Sequence, residues 1–186
     1  MEDLYNEINE YHLERHLALE NSSGGEIRKA RGSLVEELVK SIWEGLGEGY
    51  KAVLQQKHEI YFDSIDKSMK VGCDVDCYKD EKLACIVECK AYLEKCYLER
   101  AVSDFRYLNK TTKVPKIVVA LEESIAPNAY EIIKQLHSDV FDGMYILCSG
   151  KRNASKPMYK SQYLKPIERE LFNNLVNFFK EIKWQQ

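Results

Sequence analysis

Two stretches decide the fold: Val71-Gly72-Cys73-Asp74-Val75-Asp76-Cys77-Tyr78, and then Ala84-Cys85-Ile86-Val87-Glu88-Cys89-Lys90. Both alternate residue by residue, as a strand does when its side chains point to opposite faces of a sheet. In the first, Val71, Cys73, Val75 and Cys77 fall on one face and Asp74 and Asp76 on the other. In the second, Cys85, Val87 and Cys89 share a face opposite Ile86, Glu88 and Lys90. Lys79-Asp80-Glu81-Lys82 between them is a polar turn, so the two runs read as a hairpin. With the turn centred near Asp80-Glu81, antiparallel partners sum to about 161–162, which puts Glu88 opposite Cys73 or Asp74. One pleat face then collects Asp74, Asp76, Glu88 and Lys90. Three carboxylates and one ammonium on a half-buried face cost desolvation energy without a partner. A hard divalent cation bound through oxygen is a natural one.

Working outward, a third strand-like run at about Ala52 to Phe62 precedes the hairpin. Upstream, a helix is predicted from Glu26 to Gly45, with Leu34, Val35, Leu38, Val39, Ile42, Trp43 and Leu46 on one stripe. Asn21-Ser22-Ser23-Gly24-Gly25 separates it from an N-terminal helix that carries Leu4, Ile8, Tyr11, Leu13 and Leu17. Downstream, Glu94 to Asn109 reads as a helix with Leu98, Ala101, Val102, Phe105 and Leu108 inward. After Pro115, Ile117-Val118-Val119-Ala120-Leu121 has the continuous apolar character of a buried central strand. A helix over Ser124 to Ser138 with Pro127 in its first turn, a strand over Met144 to Cys148, a polar loop over Lys151 to Tyr163 and a closing helix over Ile167 to Ile182 complete the order. The closing helix turns Leu171, Leu175, Phe178 and Phe179 inward. Phe178, Phe179 and Trp184 read as core and helix-end packing, or as part of a subunit interface. The order α–α–βββ–α–β–α–β–α is that of an α/β sandwich around a mixed sheet.

Asp74, a gap of about fourteen residues, then Glu88-Cys89-Lys90 resembles the D…(D/E)xK signature of the PD-(D/E)XK, or restriction-endonuclease-like, nuclease superfamily. Gly32-Ser33-Leu34-Val35-Glu36 resembles that superfamily's early G-x-x-x-E element. No Pro precedes Asp74, a departure shared by many members. The resemblance covers roughly residues 26 to 148. It implies an αβα sandwich around a mixed central β-sheet and metal-dependent hydrolysis of a DNA phosphodiester. It implies that Asp74, Glu88 and the backbone carbonyl of Cys89 hold Mg²⁺, and that Lys90 orients or deprotonates the attacking water and stabilises developing charge. Asp76 is then a supporting residue, or the ligand itself if the hairpin register is displaced by two. On the helix before the hairpin, Glu36 sits about 100° round from Val35, beside Trp43, and Glu37 about 200° away, facing water. Glu36 is therefore the helix carboxylate placed to reach the site. The chain reads as one catalytic domain over 1–186, with an N-terminal helix at 1–24, a nuclease core at 26–148 and a basic loop with closing helix at 151–186.

Composition is that of an ordinary globular domain. The chain has 186 residues, 27 Lys plus Arg, 30 Asp plus Glu, and a net charge of −3. That length is the size of one domain. A hydrophobic fraction of 45 % and a charged fraction of 31 % exclude global disorder. No apolar run approaches the roughly 18–20 residues that span a bilayer. The acidic start Met1-Glu2-Asp3-Leu4 has no signal-peptide character, and six cysteines read as reduced thiols of the cytoplasm. Cys73, Cys77, Cys85 and Cys89 would be a four-cysteine zinc set by count, but their parity puts them with Val75 and Val87 on the apolar face, as core. His12, His16, His58 and His137 form no ligand or nucleophile motif.

Charge is uneven. Lys90 to Lys116 holds seven basic residues against three acidic, and Lys151 to Arg169 six against one. Lys95, Arg100 and Arg106, off the apolar face of their helix, are candidates for the DNA backbone, as are Lys151 and Arg152 in the polar loop. The same residues are what a solvated helix face and a solvated loop look like.

Within the superfamily, Glu88 to Tyr92 and Leu98 to Phe105 look like bacterial restriction enzymes. A short catalytic chain without a recognition domain resembles the small subunit of a heterodimeric type IIS endonuclease. Its large partner subunit would read the double-stranded DNA site and nick one strand, while this chain cuts the other. The alternatives are a self-sufficient homodimeric restriction or junction-resolving nuclease, and an inactive relative used for DNA binding or scaffolding. The intact Asp74, Glu88 and Lys90 speak against the last.

Overall fold

The computed structural model describes residues 1–182; Trp184 lies outside them. Five helices run α1 (Glu2–Leu17), α2 (Gly24–Glu44), α3 (Lys95–Leu108), α4 (Pro127–Leu136) and α5 (Arg169–Glu181). Seven strands are β1 (Tyr50–Leu54), β2 (Lys57–Phe62), β3 (Lys67–Gly72), β4 (Val75–Lys79), β5 (Lys82–Leu93), β6 (Lys116–Glu123) and β7 (Gly143–Ile146). The central sheet has the order β1-β4-β5-β6-β7, and β2 and β3 form a separate ribbon. β1, β4 and β5 pair antiparallel, whereas β5–β6 and β6–β7 pair parallel. This is the expected mixed sheet with helices on both faces, and the fold is restriction-endonuclease-like.

One face packs against α1, α2 and α5. Leu34, Val35, Leu38, Val39, Ile42 and Trp43 of α2 bury against Val75, Cys77, Cys85, Val87 and Cys89. Each such side chain contributes about 1.5–3 kcal/mol on burial. Trp43 also anchors direction: its indole N–H donates to the carbonyls of Lys51 (3.1 Å) and Tyr78 (2.9 Å), locking α2 across β1 and β4. Ser23 and Glu26 close a capping box at the start of α2, so the polar break at 21–25 becomes a helix cap. The other face packs against α3 and α4, where Leu98, Ala101, Val102, Phe105 and Leu108 meet Ile86, Val118 and Ala120.

The hairpin of β4 and β5 turns at Asp80 and Glu81, whose φ angles of 47° and 66° are the paired positive values of a type I′ turn. Near the site Val75 pairs with Val87 and Asp76 with Ile86. A bulge between Cys77 and Tyr78 then moves the register by one, to Tyr78–Leu83.

Several expectations are corrected. The single strands expected over Ala52–Phe62 and Val71–Tyr78 each break in two. They form one long antiparallel pair that bends sharply. Gln55 adopts a positive φ of 56° at the bend, and the ladder bridges it through Gln55 N–H to Asp74 O (2.9 Å) and Cys73 N–H to Gln56 O (3.0 Å). Parity is lost at the bend. Val71 and Cys73 therefore join the α3 side with Ile60, while Val75 and Cys77 stay on the α2 side. The inward stripe of α1 is Ile8, His12 and His16, with Leu17 exposed. In α5 it is Phe172, Leu175, Val176 and Phe179, with Leu171 and Phe178 only half-buried. Glu37 does not simply face water: it accepts a hydrogen bond from Tyr11 of α1. No helix among the described residues is long and apolar enough to cross a membrane.

Candidate active site

Asp74 sits at the bend itself, just before β4 starts. Beyond Val75, β5 has no regular partner on that side, and the Cys89 N–H that would continue the ladder donates instead to Asp74 Oδ2 at 2.7 Å. The carboxylate is thereby pinned by a charge-assisted bond from the neighbouring strand. Lys90, one residue on, brings its Nζ to 3.5 Å from the same Oδ2 and directly onto Glu88 Oε1. Gln55, from the other side of the bend, points its amide at Asp74 Oδ1 (3.5 Å). Alternation in β5 puts Glu88 and Lys90 on one face, and the bend swings Asp74 round to meet them.

Glu36 enters from α2. It lines a cleft of about 610 Å³ together with Asp74, Cys89, Lys90, Arg28, Arg31 and Arg152. Arg28, Gly32 and Glu36 are spaced four apart, so they form one row along the helix. At Gly32 a Cβ would have nothing within 4 Å, which leaves the helix backbone bare to the cleft. A second cleft, about 600 Å³, lies on the other side of Lys90, with Glu88, Lys70, Arg100 and Asp104 in its walls. Asp74 and Lys90 belong to both.

The charges are unbalanced. Burial pushes the Glu88 carboxyl up to about 6, with Lys90 pulling down and Asp74 pushing further up. Burial also raises Glu36, with Asp74 adding to it. Burial works against the Lys90 ammonium, but Glu88 and Asp74 outweigh it and hold its pKa above the ordinary value. Three carboxylates share one ammonium, and Glu88 remains reluctant to ionise even with Lys90 bonded to it. An all-oxygen donor set carrying more negative charge than its own cation neutralises fits a hard divalent ion such as Mg²⁺.

The remaining candidates separate. Asp76 does not join this group; it is fully buried and bonds His58 (2.9 Å) and Cys73 (2.8 Å). Arg100 borders the second cleft. Lys95 is exposed and paired with Glu99 at 3.4 Å. Arg106 lies toward the far end of α3, its guanidinium 2.7 Å from His137 Nδ1, in a different depression with Lys110 and Lys113. Arg152 enters the first cleft, stacked 3.7 Å over the Tyr92 ring and bonded to Glu94. Lys151 is tied to Glu123 (3.1 Å) and lies outside that cleft.

Sequence reasoning missed Arg28, Arg31 and Lys70. The four-residue spacing back from Gly32 and Glu36 would have found Arg28. Nothing local marks Arg31, which is almost buried and reaches Glu122 at 3.5 Å, while Lys165 reaches the same carboxylate at 2.9 Å.

No family model matches the chain. In sequence it is similar to the type II restriction enzyme DdeI of Desulfomicrobium norvegicum, 27 % identical over an alignment covering 96 % of this chain and 92 % of that enzyme. In structure it is similar to NucC of P. aeruginosa in its cAAA-bound form, with a TM-score of 0.51 and 13 % identity over 94 % of this chain and 97 % of that one. The structural likeness speaks to the fold alone. The sequence likeness to a restriction enzyme and the likeness of fold both support a nuclease reading of the chain.

Proposed function

We propose that the chain is a Mg²⁺-dependent endodeoxyribonuclease that hydrolyses phosphodiester bonds of double-stranded DNA. The observation that carries this reading is the convergence of Asp74, Glu88 and Lys90 at the bend between two open clefts. Asp74, Glu88 and the carbonyl of Cys89 would hold Mg²⁺, with Glu36 on the helix side. When bound, the ion supplies Lewis-acid charge to the scissile phosphate and acidifies nearby water.

The chain's own groups do the rest. The Cys89 N–H fixes Asp74, a carboxylate that would hold the ion. Lys90, held charged by Glu88 and Asp74, suits orienting water and stabilising the negative charge that grows on the phosphoryl oxygens. Its raised pKa argues for that role over proton abstraction. Arg28 and Arg152 in one cleft, and Lys70 and Arg100 in the other, give a strand two cationic walls on either side of Lys90.

For the assembly, a match spanning 92 % of a type II restriction enzyme favours a self-sufficient enzyme, and a two-fold homodimer of it would cut both strands of a palindromic site. The second reading is the small catalytic subunit of a heterodimeric type IIS enzyme beside a large recognition subunit, and it draws on the likeness of Glu88 to Tyr92 and Leu98 to Phe105 to bacterial restriction enzymes.

Incubating supercoiled and linear plasmid with the purified chain, in Mg²⁺ and in EDTA, tests all of this. Discrete double-strand fragments that EDTA abolishes are expected. Cleavage indifferent to EDTA would overturn the metal-dependent reading. Cutting that appears only after adding host extract lacking this chain would replace the homodimer by the subunit reading.

A further inference from the structure

Directly behind Asp74, on the buried side of the bend, lies a second cluster that the nuclease site does not use. It consists of His58 from β2, Cys73 at the bend and Asp76 from β4. Their donor atoms all lie within 4.8 Å of one another. Asp76 Oδ2 is 2.9 Å from His58 Nε2 and Asp76 Oδ1 is 2.8 Å from Cys73 Sγ. Cys73 Sγ and His58 Nε2 are 3.3 Å apart. Among the described residues it is the grouping of three or more such side chains whose donors converge this closely. We propose that His58, Cys73 and Asp76 form a binding site for a borderline-soft divalent ion of the zinc class, which clamps the hinge between the β2–β3 ribbon and the central sheet.

The donor chemistry selects the ion. One thiol, one imidazole and one carboxylate are the mixed S, N and O ligands of zinc, not the all-oxygen shell that Mg²⁺ demands. The geometry is near what is needed. Zinc–ligand bonds of about 2.0–2.3 Å imply donor-to-donor edges of about 3.3–3.8 Å in a tetrahedron. The Cys73–His58 separation already falls in that range, and the two separations to Asp76 need to open by about half an ångström, which small side-chain rotations provide. The fourth position is available to water, or to Tyr78, whose hydroxyl lies 3.5 Å from Asp76 Oδ2. The His58 side chain, 15 % exposed, marks the way in, while Asp76 is fully enclosed.

Loading is balanced by proton release. The Cys73 thiol proton, now donated to Asp76, leaves to solvent as sulfur binds the ion. His58 keeps one proton by carrying it on Nδ1 while Nε2 ligates. No electron is transferred. The three ligands come from both arms of the bent pair, so the ion would cross-link β2 to β4 where the backbone is held by only two hydrogen bonds, Gln55 to Asp74 and Cys73 to Gln56. It would thus hold Asp74 in place from behind without touching the substrate.

The test is cobalt and zinc binding by the full chain, stripped with a chelator, in a Cys96→Ser background that removes the exposed thiol. One Co²⁺ per chain with an intense near-ultraviolet thiolate-to-cobalt absorption is expected. Zn²⁺ should displace it and excess Mg²⁺ should not. Cys73→Ser should abolish the absorption, and His58→Gln should weaken binding by at least the about 10–100-fold that losing a supporting group at a metal site costs. Asp74→Asn should leave the absorption intact, which separates this site from the nuclease centre. A folded parent chain that shows no such absorption, or a band that survives Cys73→Ser, would overturn the proposal and leave a metal-free hydrogen-bonded trio. Circular dichroism checks folding, and should Cys73→Ser not fold, the parent spectrum and His58→Gln decide.

Discussion

Acid should weaken this protein through His16, and the size of the effect can be worked from its surroundings. His12 and His16 face inward from α1, both fully buried. His16 Nδ1 bonds the His12 carbonyl at 3.0 Å, and His12 Nε2 bonds the Lys165 carbonyl at 2.9 Å. His12 Nδ1 and His16 Nε2 have no hydrogen-bond partner among the described residues. A second proton on either ring would be a buried, unpaired charge close to the Arg31 cation. Burial accordingly lowers both pKa values, and that of His16, with His12 adding, falls to about 3. An unfolded histidine titrates near about 6.5. The folded value is the lower one, so the unfolded state takes up the proton first as pH falls. The His16 contribution is complete above pH 6.5 and is lost as pH falls from there toward 3. Linkage gives a loss of about 2 kcal/mol at pH 5, approaching a ceiling of about 5 kcal/mol well below pH 3. That is a large part of a typical folding free energy of about 5–15 kcal/mol. Urea unfolding at pH 7.5 and 5.0, on the wild type and His16→Gln, isolates the term because other titrating groups cancel in the double difference. Glutamine should cost stability at pH 7.5, and that cost should shrink by about 2 kcal/mol at pH 5.0. An equal cost at both pH values would refute the reasoning.

Lys90→Ala should lower the DNA cleavage rate by about 10²–10⁴-fold, while its melting temperature stays near the wild type because the side chain is partly exposed; a melting loss like that of a core deletion would contradict its assignment to chemistry. Asp74→Asn should abolish metal-dependent cutting, measured on plasmid, whereas Asp76→Asn should chiefly weaken thermal stability by disturbing His58 and Cys73; the reverse order would mean that the bend places the wrong carboxylate. Gly32→Ala should raise stability by about 0.5–1 kcal/mol, since the position is interior helix with room for a Cβ, and Gly32→Leu should cut slowly by filling the cleft; full activity in the leucine variant, by steady-state assay, would show that no substrate passes there.

Most of the framework was legible because it depends on local pattern. The α2 stripe from Leu34 to Trp43 and the α3 stripe from Leu98 to Leu108 are both set by a 3.6-residue period, and the apolar β6 run by burial on both faces. The Asp80-Glu81 turn and the summed register were readable as well, and Val75–Val87 lies on the expected sum. The bend was not legible. The local mark beside it is Gly72, of the kind that often goes with a bulge, but Gln55-Gln56 and Cys73-Asp74 themselves carry no Gly or Pro, and the alternation was read straight through. What forces the break is tertiary: Ile60, Val71 and Cys73 bury against the α3 side, a demand that does not exist until α3 is in place. The same limit hid His12 and His16, whose burial depends on the loop around Lys165, and Phe172 and Val176, which lie one position from the stripe expected for α5.

The bend also explains why the site needs one carboxylate from each kind of local geometry. In an unbroken hairpin Asp74 would lie directly across from Glu88, with its N–H and C=O committed to the ladder and its side chain fixed by the pleat. Asp76, two residues on, would then share its face and be its equal. Breaking the strand at Cys73-Asp74 removes that equivalence. Asp76 stays in the sheet and is buried with His58, while Asp74 is half-buried and opens onto both clefts. The freed Cys89 N–H then captures the Asp74 carboxylate, and the Lys90 ammonium bridges it to Glu88. The irregularity therefore sorts two aspartates of like sequence context into two different settings, one half-buried in the proposed nuclease site and one enclosed beside the bend. A substitution that straightened the bend would remove both at once, and this is why the nuclease centre and the His58–Cys73–Asp76 cluster lie back to back on the same two residues of chain.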